Sequence, residues 1–568
     1  MLSSVLPLLL VLSTCAESSL AATAEQWRGR SIYQLVTDRF ARADNISAQC
    51  NTGDRKYCGG SWKGVMSHLD YIQGLGFDAV WISPVVENID GESFYGEAYH
   101  GYWTKDLNDL NSHFGTADDL KALSDALHAR NMYLMVDIVV NHVAAIPTKI
   151  EPATSTPSID YSVYQSPLDS SSSFHPFCFI DFSLNNQTDV EQCWLGDANV
   201  PLPDLDTEDN DIVQMLNTWV ANLTKTYNID GLRIDTVKHI RKDFWPDFAK
   251  SSGVYTLGEV LDNRLNFTVD YTSMPYSPVL VAFFTLTALT DVIDGILDYP
   301  TYFSVINGFG SPSGNLSTIP DVVGTAQKTY HNALLNAGSF LENHDQPRFP
   351  NITKDAALVR NAVTWPFIQD GLPILYYGQE QGYDGSTDPN NREALWFSGY
   401  QTDNKPLVTH VQTLNKARKL AISANSNFLS SSLTFIPQSG GNTLAVSKPP
   451  MLSLLTNAGA SASTQPVWAI PASAGLFSAN EQLVDVLTCT ALKADGSGGL
   501  TVSAKGGMPM VVLPASKLQS NANATLCPNV AAGAATAGSS GALGIISQVS
   551  VGGAFVVAAA LAAVQHFL

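Results

Sequence analysis

The chain has 568 residues, 45% of them hydrophobic, which is enough for two or three domains with a large core. Its 31 Lys and Arg face 52 Asp and Glu, a net charge of −21 with no basic run. That balance excludes nucleic acid and an anionic membrane surface as partners and favours a neutral or cationic ligand.

The chain opens with an apolar run, residues 5–12, followed by the small-residue stretch SSLAAT. This is the pattern of a secretory signal peptide over residues 1–21, cleaved after Ala21 or Ala22, although no Lys or Arg precedes the run. Seven N-x-S/T sequons, at Asn45, Asn186, Asn222, Asn266, Asn315, Asn351 and Asn523, suit a glycosylated secreted protein. Once Cys15 leaves with the signal, six cysteines remain, and an even number in an oxidising compartment suggests three bridges. Proximity favours Cys50–Cys58, Cys178–Cys193 and Cys489–Cys527, although spacing alone does not fix that pairing. No spacing is C-x-x-C, so zinc is disfavoured.

From residue 31 to about 425, apolar runs of strand length alternate with helical patterns. The runs are SIYQLVTDRF (31–40), FDAVWISPV (77–85), MYLMVDIVVNH (132–142), IDGLRID (229–235), VYTLGEV (254–260), DGILDYP (294–300), SFLENHD (339–345) and PILYYGQE (373–380). Eight near-continuous hydrophobic runs with intervening helices predict parallel strands buried on both faces, an α/β fold of the (β/α)₈ TIM barrel type. One helix is marked by a capping box, Thr116 with Asp119.

The barrel is expected over 22–141 and 205–428. Residues 142–204, largely Pro- and Ser-rich, are too long for one crossover and read as a small domain inserted after strand 3. Residues 429–527 change to short alternating runs broken by Gly and Pro, which predicts a C-terminal antiparallel β-sandwich. Residues 528–568 are a small-residue linker ending in an apolar tail, which matches a GPI-attachment signal with its site within 538–541; a weak tail anchor or a plain disordered end is the alternative. One stretch, 272–292, is almost uncharged, has two prolines and has no evident structural role.

Several predicted strands end in polar residues: Asn141 and His142, Arg233 and Asp235, Glu259, then Asn343, His344 and Asp345. Barrel active sites lie at these C-terminal strand ends. Residues two apart on a strand share a face, so Arg233 and Asp235 point together, and the guanidinium is expected to hold Asp235 ionised. One charged and one protonated carboxyl are the arrangement for sugar transfer with retained configuration. Any one of these residues alone reads equally well as an ordinary strand-end charge.

DIVVNH (137–142), GLRIDTVKH (231–239), GEVLD (258–262) and FLENHDQPRF (340–349) resemble, in order, the four signature regions of the α-amylase family, glycoside hydrolase family 13. Further segments, among them YCGGSW, AYHGYW, HPFCFI, CWLGD, LPDLDT and DPNNRE, are similar to those of secreted fungal members over nearly the whole mature chain. The resemblance implies Asp235 as nucleophile, Glu259 as general acid/base and Asp345 as the carboxylate that binds sugar hydroxyls. It implies contacts to the sugar at the cleavage point from His142, Arg233 and His344, and on the leaving-group side from Lys238 and His239. Tyr102, next to Trp103, matches a ring on which a sugar stacks, and Asp388 and Arg392 match a pair farther along the non-reducing side. It further implies a Ca²⁺ site from Asn141, Glu191, Asp204 and the backbone carbonyl of His239, an oxygen-only set suited to a hard cation.

Two features depart from the family. A cysteine pair usual beyond Glu259 is missing, and the 272–292 stretch is an insertion there, either a translated intron or a lineage-specific loop. Arg55 lies in a loop that lines the cleft in relatives. The resulting expectation is a secreted, GPI-anchored, monomeric retaining α-amylase that cuts internal α-1,4-glucosidic bonds of starch, glycogen or wall α-glucan. The rivals are a cell-wall 4-α-glucanotransferase with the same triad and an inactive glucan-binding scaffold.

Overall fold

In a computed structural model, which describes residues 22–147, 152, 155–272, 292–519 and 526–528, each of the eight runs contributes one parallel strand. These are β1 (Ile32–Leu35), β2 (Ala79–Ile82), β3 (Tyr133–Ile138), β4 (Gly231–Ile234), β5 (Tyr255–Gly258), β6 (Gly295–Ile296), β7 (Gly338–Ser339) and β8 (Leu372–Tyr376). The order is β6-β5-β4-β3-β2-β1-β8-β7, and a parallel bridge from Leu297 to Gly338 joins β6 to β7 and closes the ring. Every strand residue except Tyr133 is buried, because helices cover the outer face and side chains fill the interior. That double burial is why the runs read as continuously apolar rather than alternating.

Amphipathic helices make the crossovers. Ala117–His128 starts at the expected capping box, with Thr116 Oγ1 accepting from the Asp119 N–H and Asp119 Oδ2 from the Thr116 N–H, and it buries Leu120, Leu123 and Leu127. Asn210–Tyr227 connects β3 to β4 and ends on Asn228 in the left-handed region, φ 51°. The strands are shorter than the runs. Residues Thr37–Phe40 form a helical turn that carries the fully buried ion pair Asp38–Arg39, and in SFLENHD only Ser339 is strand. The remaining residues of these runs leave the barrel as the loops that build its open end.

Within the inserted segment, the Cys178–Cys193 disulfide joins the end of helix Gln187–Gln192 to the loop before it, and the hairpin Leu195–Asp197/Val200–Leu202 follows. It returns to the barrel beside the exit of β3, through the bridge His142–Asp204 and the bond from the Leu205 N–H to the Asn141 carbonyl, 2.9 Å.

The C-terminal region forms a six-stranded antiparallel sheet between Thr434 and Pro514, faced by a two-stranded ribbon, Val467–Ile470 with Leu500–Ser503. Leu452, Leu454, Trp468, Leu483 and Val512 form its separate core. A buried ion pair, Lys448–Asp370, ties the sheet to the barrel. All three disulfides join the pairs that proximity favoured.

The signal peptide and nearly all of the linker and GPI signal lie outside the described residues, as does 273–291. The flanks of that last stretch are described. Thr272 and Ile293 pair as a parallel bridge, so the chain leaves and rejoins the barrel at neighbouring points.

Candidate active site

The site begins with strand register. β3 pairs with β4 so that Asp137 lies opposite Arg233, and the next two carboxylates follow just past the strand ends, with the Asp235 N–H on the Ile138 carbonyl and the Glu259 N–H on the Ile234 carbonyl. The Arg233 side chain, 1% exposed, then meets three acids at once. Nη1 donates to Asp137 Oδ1 at 2.8 Å and to Asp235 Oδ1 at 2.9 Å, while Nη2 lies 2.9 Å from Glu259 Oε2. Asp137 also accepts from Trp81 Nε1 (3.1 Å) and the Tyr102 hydroxyl (2.7 Å).

This corrects the expectation that Arg233 keeps Asp235 ionised. Burial pushes the Asp235 carboxyl well above the ordinary range; Arg233 pulls it down, but Glu259, Asp137 and Asp345 push it back up. Burial likewise raises Asp137 to about 6 despite Arg233 and its other donors. One guanidinium shared among three buried carboxylates leaves a net charge of −2 when all are ionised, and such a cluster is relieved by holding a proton.

Local backbone supports the pair. Thr236, directly after Asp235, sits at φ 50°, which is strained for a β-branched residue by on the order of 1–3 kcal/mol, and there its N–H donates to Glu259 Oε2 at 3.1 Å. Gly258, directly before Glu259, leaves no room for a Cβ, which would lie 2.3 Å from Ile293 and 2.9 Å from Val237.

Around the cluster, a cavity of about 340 Å³ is lined by Tyr102, Trp103, His142, Asp235, His344, Asp345, Asp388 and Arg392, with Arg55 at its rim. Tyr102 stacks flat on His344, centroids 5.1 Å apart and planes within 2°. His344 Nδ1 faces the Gln34 amide at 3.2 Å and Nε2 faces Asp345 Oδ2 at 3.2 Å. Burial, with Arg392 and Arg233, keeps this imidazole neutral, and burial lowers His142 to about 4. Arg392 reaches Asp345 (3.4 Å) and Asp388 (2.9 Å), and Arg55 pairs with Asp388 at 2.8 Å, so Arg55 belongs to the cleft wall.

A second hollow of about 330 Å³ adjoins Lys238 and is walled by Phe182, Asp262, Arg264 and Phe267. Lys238 Nζ donates to the Leu261 carbonyl at 2.8 Å. The ring of His239, in contrast, is buried and bonded to the backbone of Val190, behind this wall rather than on it.

The residues expected to hold a cation lie partly together. Asn141 and Asp204 are adjacent through the His142–Asp204 bridge, and Asn141 Oδ1 and Asp204 Oδ1 are both buried without a hydrogen-bond partner. The Asn141 amide faces His142 Nδ1 (3.3 Å) and His175 Nδ1 holds Asp204 Oδ2 (2.6 Å), which leaves the other oxygen of each free. Orphaned buried oxygens cost about 1–3 kcal/mol each, so this pair fits a hard cation. Helix Gln187–Gln192, which carries Glu191, packs on the turn at Val237–His239.

Sequence reading missed Asp137 as a partner of Arg233, and it missed Tyr299, whose hydroxyl lies 3.4 Å from Glu259 Oε1 and is held by Asn343 Nδ2 at 2.9 Å. Asp137, directly before the last residue of β3, carried a usable signal: a charge inside a buried run requires a partner.

Comparison with known proteins identifies the family. The family model "Alpha amylase, catalytic domain" matches residues 34–279 and 294–434, and "Alpha-amylase, domain C" matches 438–532. The chain is 44% identical to alpha-amylase 2 of Schwanniomyces occidentalis over 512 residues, 89% of this chain and 94% of that protein. It is 42% identical to the alpha-amylase of Saccharomycopsis fibuligera over 495 residues, 87% and 92%. Among solved structures, an alpha-amylase from Malbranchea cinnamomea superposes with a TM-score of 0.80 at 42% identity, covering 89% of this chain and all of that one. The gap in the catalytic match, 280–293, overlaps the insertion expected at 272–292.

Proposed function

The chain belongs to the α-amylase family, and from that premise we propose how its residues divide the work of cutting internal α-1,4-glucosidic bonds in starch-like glucans. Glu259 gives a proton to the glycosidic oxygen as Asp235 attacks the anomeric carbon, and the shortened glucan leaves past Lys238. Glu259, now a base, takes a proton from water, which displaces Asp235, so two inversions retain the configuration. The single observation that carries this reading is Arg233, one guanidinium that holds Asp235 and Glu259 at 2.9 Å each. A shared guanidinium holds the two carboxylates as one pair, which is what a nucleophile and an acid/base acting on one glycosidic bond require.

Asp345, with Arg392 and His344 beside it, takes sugar hydroxyls, and Tyr102 with His142 borders the sugar at the cleavage point. Asn141, Glu191, Asp204 and the His239 carbonyl would hold Ca²⁺, which supplies a link between the inserted domain and the barrel; the two orphaned oxygens support this. Secretion is supported by three disulfides and by exposure of six sequon asparagines, Asn45, Asn186, Asn222, Asn266, Asn315 and Asn351. GPI anchoring and a monomeric state complete the proposal and rest on sequence pattern alone. Incubation with maltoheptaose tests the reaction: only shorter oligosaccharides are expected, whereas longer ones would mean transfer to a second glucan, and no products would mean a binding protein.

A further inference from the structure

Outside the cleft, the inserted segment carries a donor set that neither the sugar chemistry nor the oxygen-only cation site uses. The ring of His175 lies between two groups of acids. Its Nδ1 is 2.6 Å from Asp204 Oδ2, and its Nε2 is 3.5 Å from Asp206 Oδ1 and 2.5 Å from Glu208 Oε2. A turn places Glu208 there: the Asp209 N–H bonds the Asp206 carbonyl and the Glu208 N–H bonds Asp206 Oδ1, folding Glu208 back over Asp206. His175 Nε2 and the two carboxylates lie within 4.8 Å of one another.

We propose that His175, Asp206 and Glu208 bind one divalent transition-metal ion of the zinc class, at a site separate from the calcium ligands. Three observations carry this. First, tetrahedral bonds of about 2.0–2.2 Å place ligand atoms about 3.4 Å apart. The His175–Asp206 separation already matches, and Glu208, with its side chain 43% exposed, has room to draw back by about 1 Å. Second, His175 is 6% exposed and fixed through its outer groups: its N–H bonds the Asp204 carbonyl (2.9 Å) and its own carbonyl accepts from Trp194 Nε1 (3.1 Å). Its Nδ1–H on Asp204 is the carboxylate–histidine arrangement that orients metal-ligating imidazoles, and it leaves Nε2 as the metal-facing nitrogen. Third, a mixed N/O set selects zinc-like ions over calcium, which takes oxygen ligands. On binding, the ion takes the Nε2 lone pair and the proton there passes to solvent; the exposed sides of Asp206 and Glu208 leave a position for water. Cysteine spacing, which argues against zinc, does not bear on a site that has no cysteine.

The test is isothermal titration of the full-length, calcium-saturated protein with ZnCl₂, paralleled by CoCl₂ titration read by visible absorption. One ion per chain is expected, with a tetrahedral cobalt spectrum. Glu208→Gln and Asp206→Asn should each weaken zinc binding at least tenfold while leaving the melting temperature in calcium unchanged. Absence of binding, wild-type affinity in both variants, or zinc binding that falls in proportion to added calcium would overturn the proposal. Asn141→Ser separates the two sites: zinc affinity is expected to survive it whether or not calcium binding does.

Discussion

On the cleavage side of the cleft, Arg233, Asp235 and Glu259 are 1%, 8% and 8% exposed, and each is fixed by at least one charged partner within 3 Å. On the leaving-group side, Phe182 is 63% exposed and Lys238 Nζ bonds a backbone carbonyl, that of Leu261, so that wall is more open to solvent. The first region places charge where water cannot screen it, which is expensive to build and strong in the transition state. The second contributes contacts in water, each weak and readily changed. Substitutions on the first side should therefore act on kcat, and those on the second on KM and product lengths.

The largest effect expected is from Asp235→Asn or Glu259→Gln, each lowering kcat on starch at least about a thousandfold, the scale of losing a group used in the transition state. Activity within tenfold of wild type in either would erase the difference between the two sides. Next comes Asp137→Asn, which removes one of three anions on Arg233 and replaces a carboxylate that accepts from Arg233, Trp81 and Tyr102 by an amide. A clearly lower melting temperature is expected, together with reduced kcat; an unchanged melting curve would show that Arg233 does not depend on Asp137.

Calcium removal probes the seam between the regions. Chelation should lower the melting temperature and make the 142–204 segment more sensitive to protease, because Asn141 and Asp204 then keep their orphaned oxygens. No shift in either readout would remove the metal assignment. The smallest effects belong to the open wall. Lys238→Ala or Phe182→Ala should raise KM for short maltooligosaccharides by about fivefold, the scale of one hydrogen bond or exposed contact of about 1 kcal/mol, with kcat on starch nearly unchanged. A loss as large as that of Asp235→Asn would make the leaving-group wall part of the catalytic machinery.

The barrel was legible because eight doubly buried strands leave eight continuous apolar runs, and their polar ends marked the candidate site residues, to which the family resemblance gave roles. What stayed hidden depends on closure. Asp137 and Arg233 are 96 positions apart and meet only when β3 and β4 pair in register. The ionisation of Asp235 was misread for the same reason: the chain shows one guanidinium two residues away, whereas the folded site shows three carboxylates competing for it. His175 and Glu208, 33 positions apart, are brought together by a turn that no periodicity announces. The 272–292 insertion was visible as an uncharged run, and the Thr272–Ile293 bridge explains why the barrel accommodates it. A tryptic peptide from the secreted protein that joins residues before 272 directly to those near 294 would show it to be spliced out.

The central claim, Asp235 as nucleophile and Glu259 as acid/base, is most directly tested by trapping. A Glu259→Gln enzyme supplied with α-maltosyl fluoride, whose leaving group needs no acid, should accumulate a glycosyl-enzyme because water is no longer activated. Peptide mass spectrometry is expected to find the added maltosyl mass on the peptide containing Asp235. The same mass on a peptide carrying Asp345 or Asp137, or turnover of the fluoride to an inverted product with no adduct, would contradict the account.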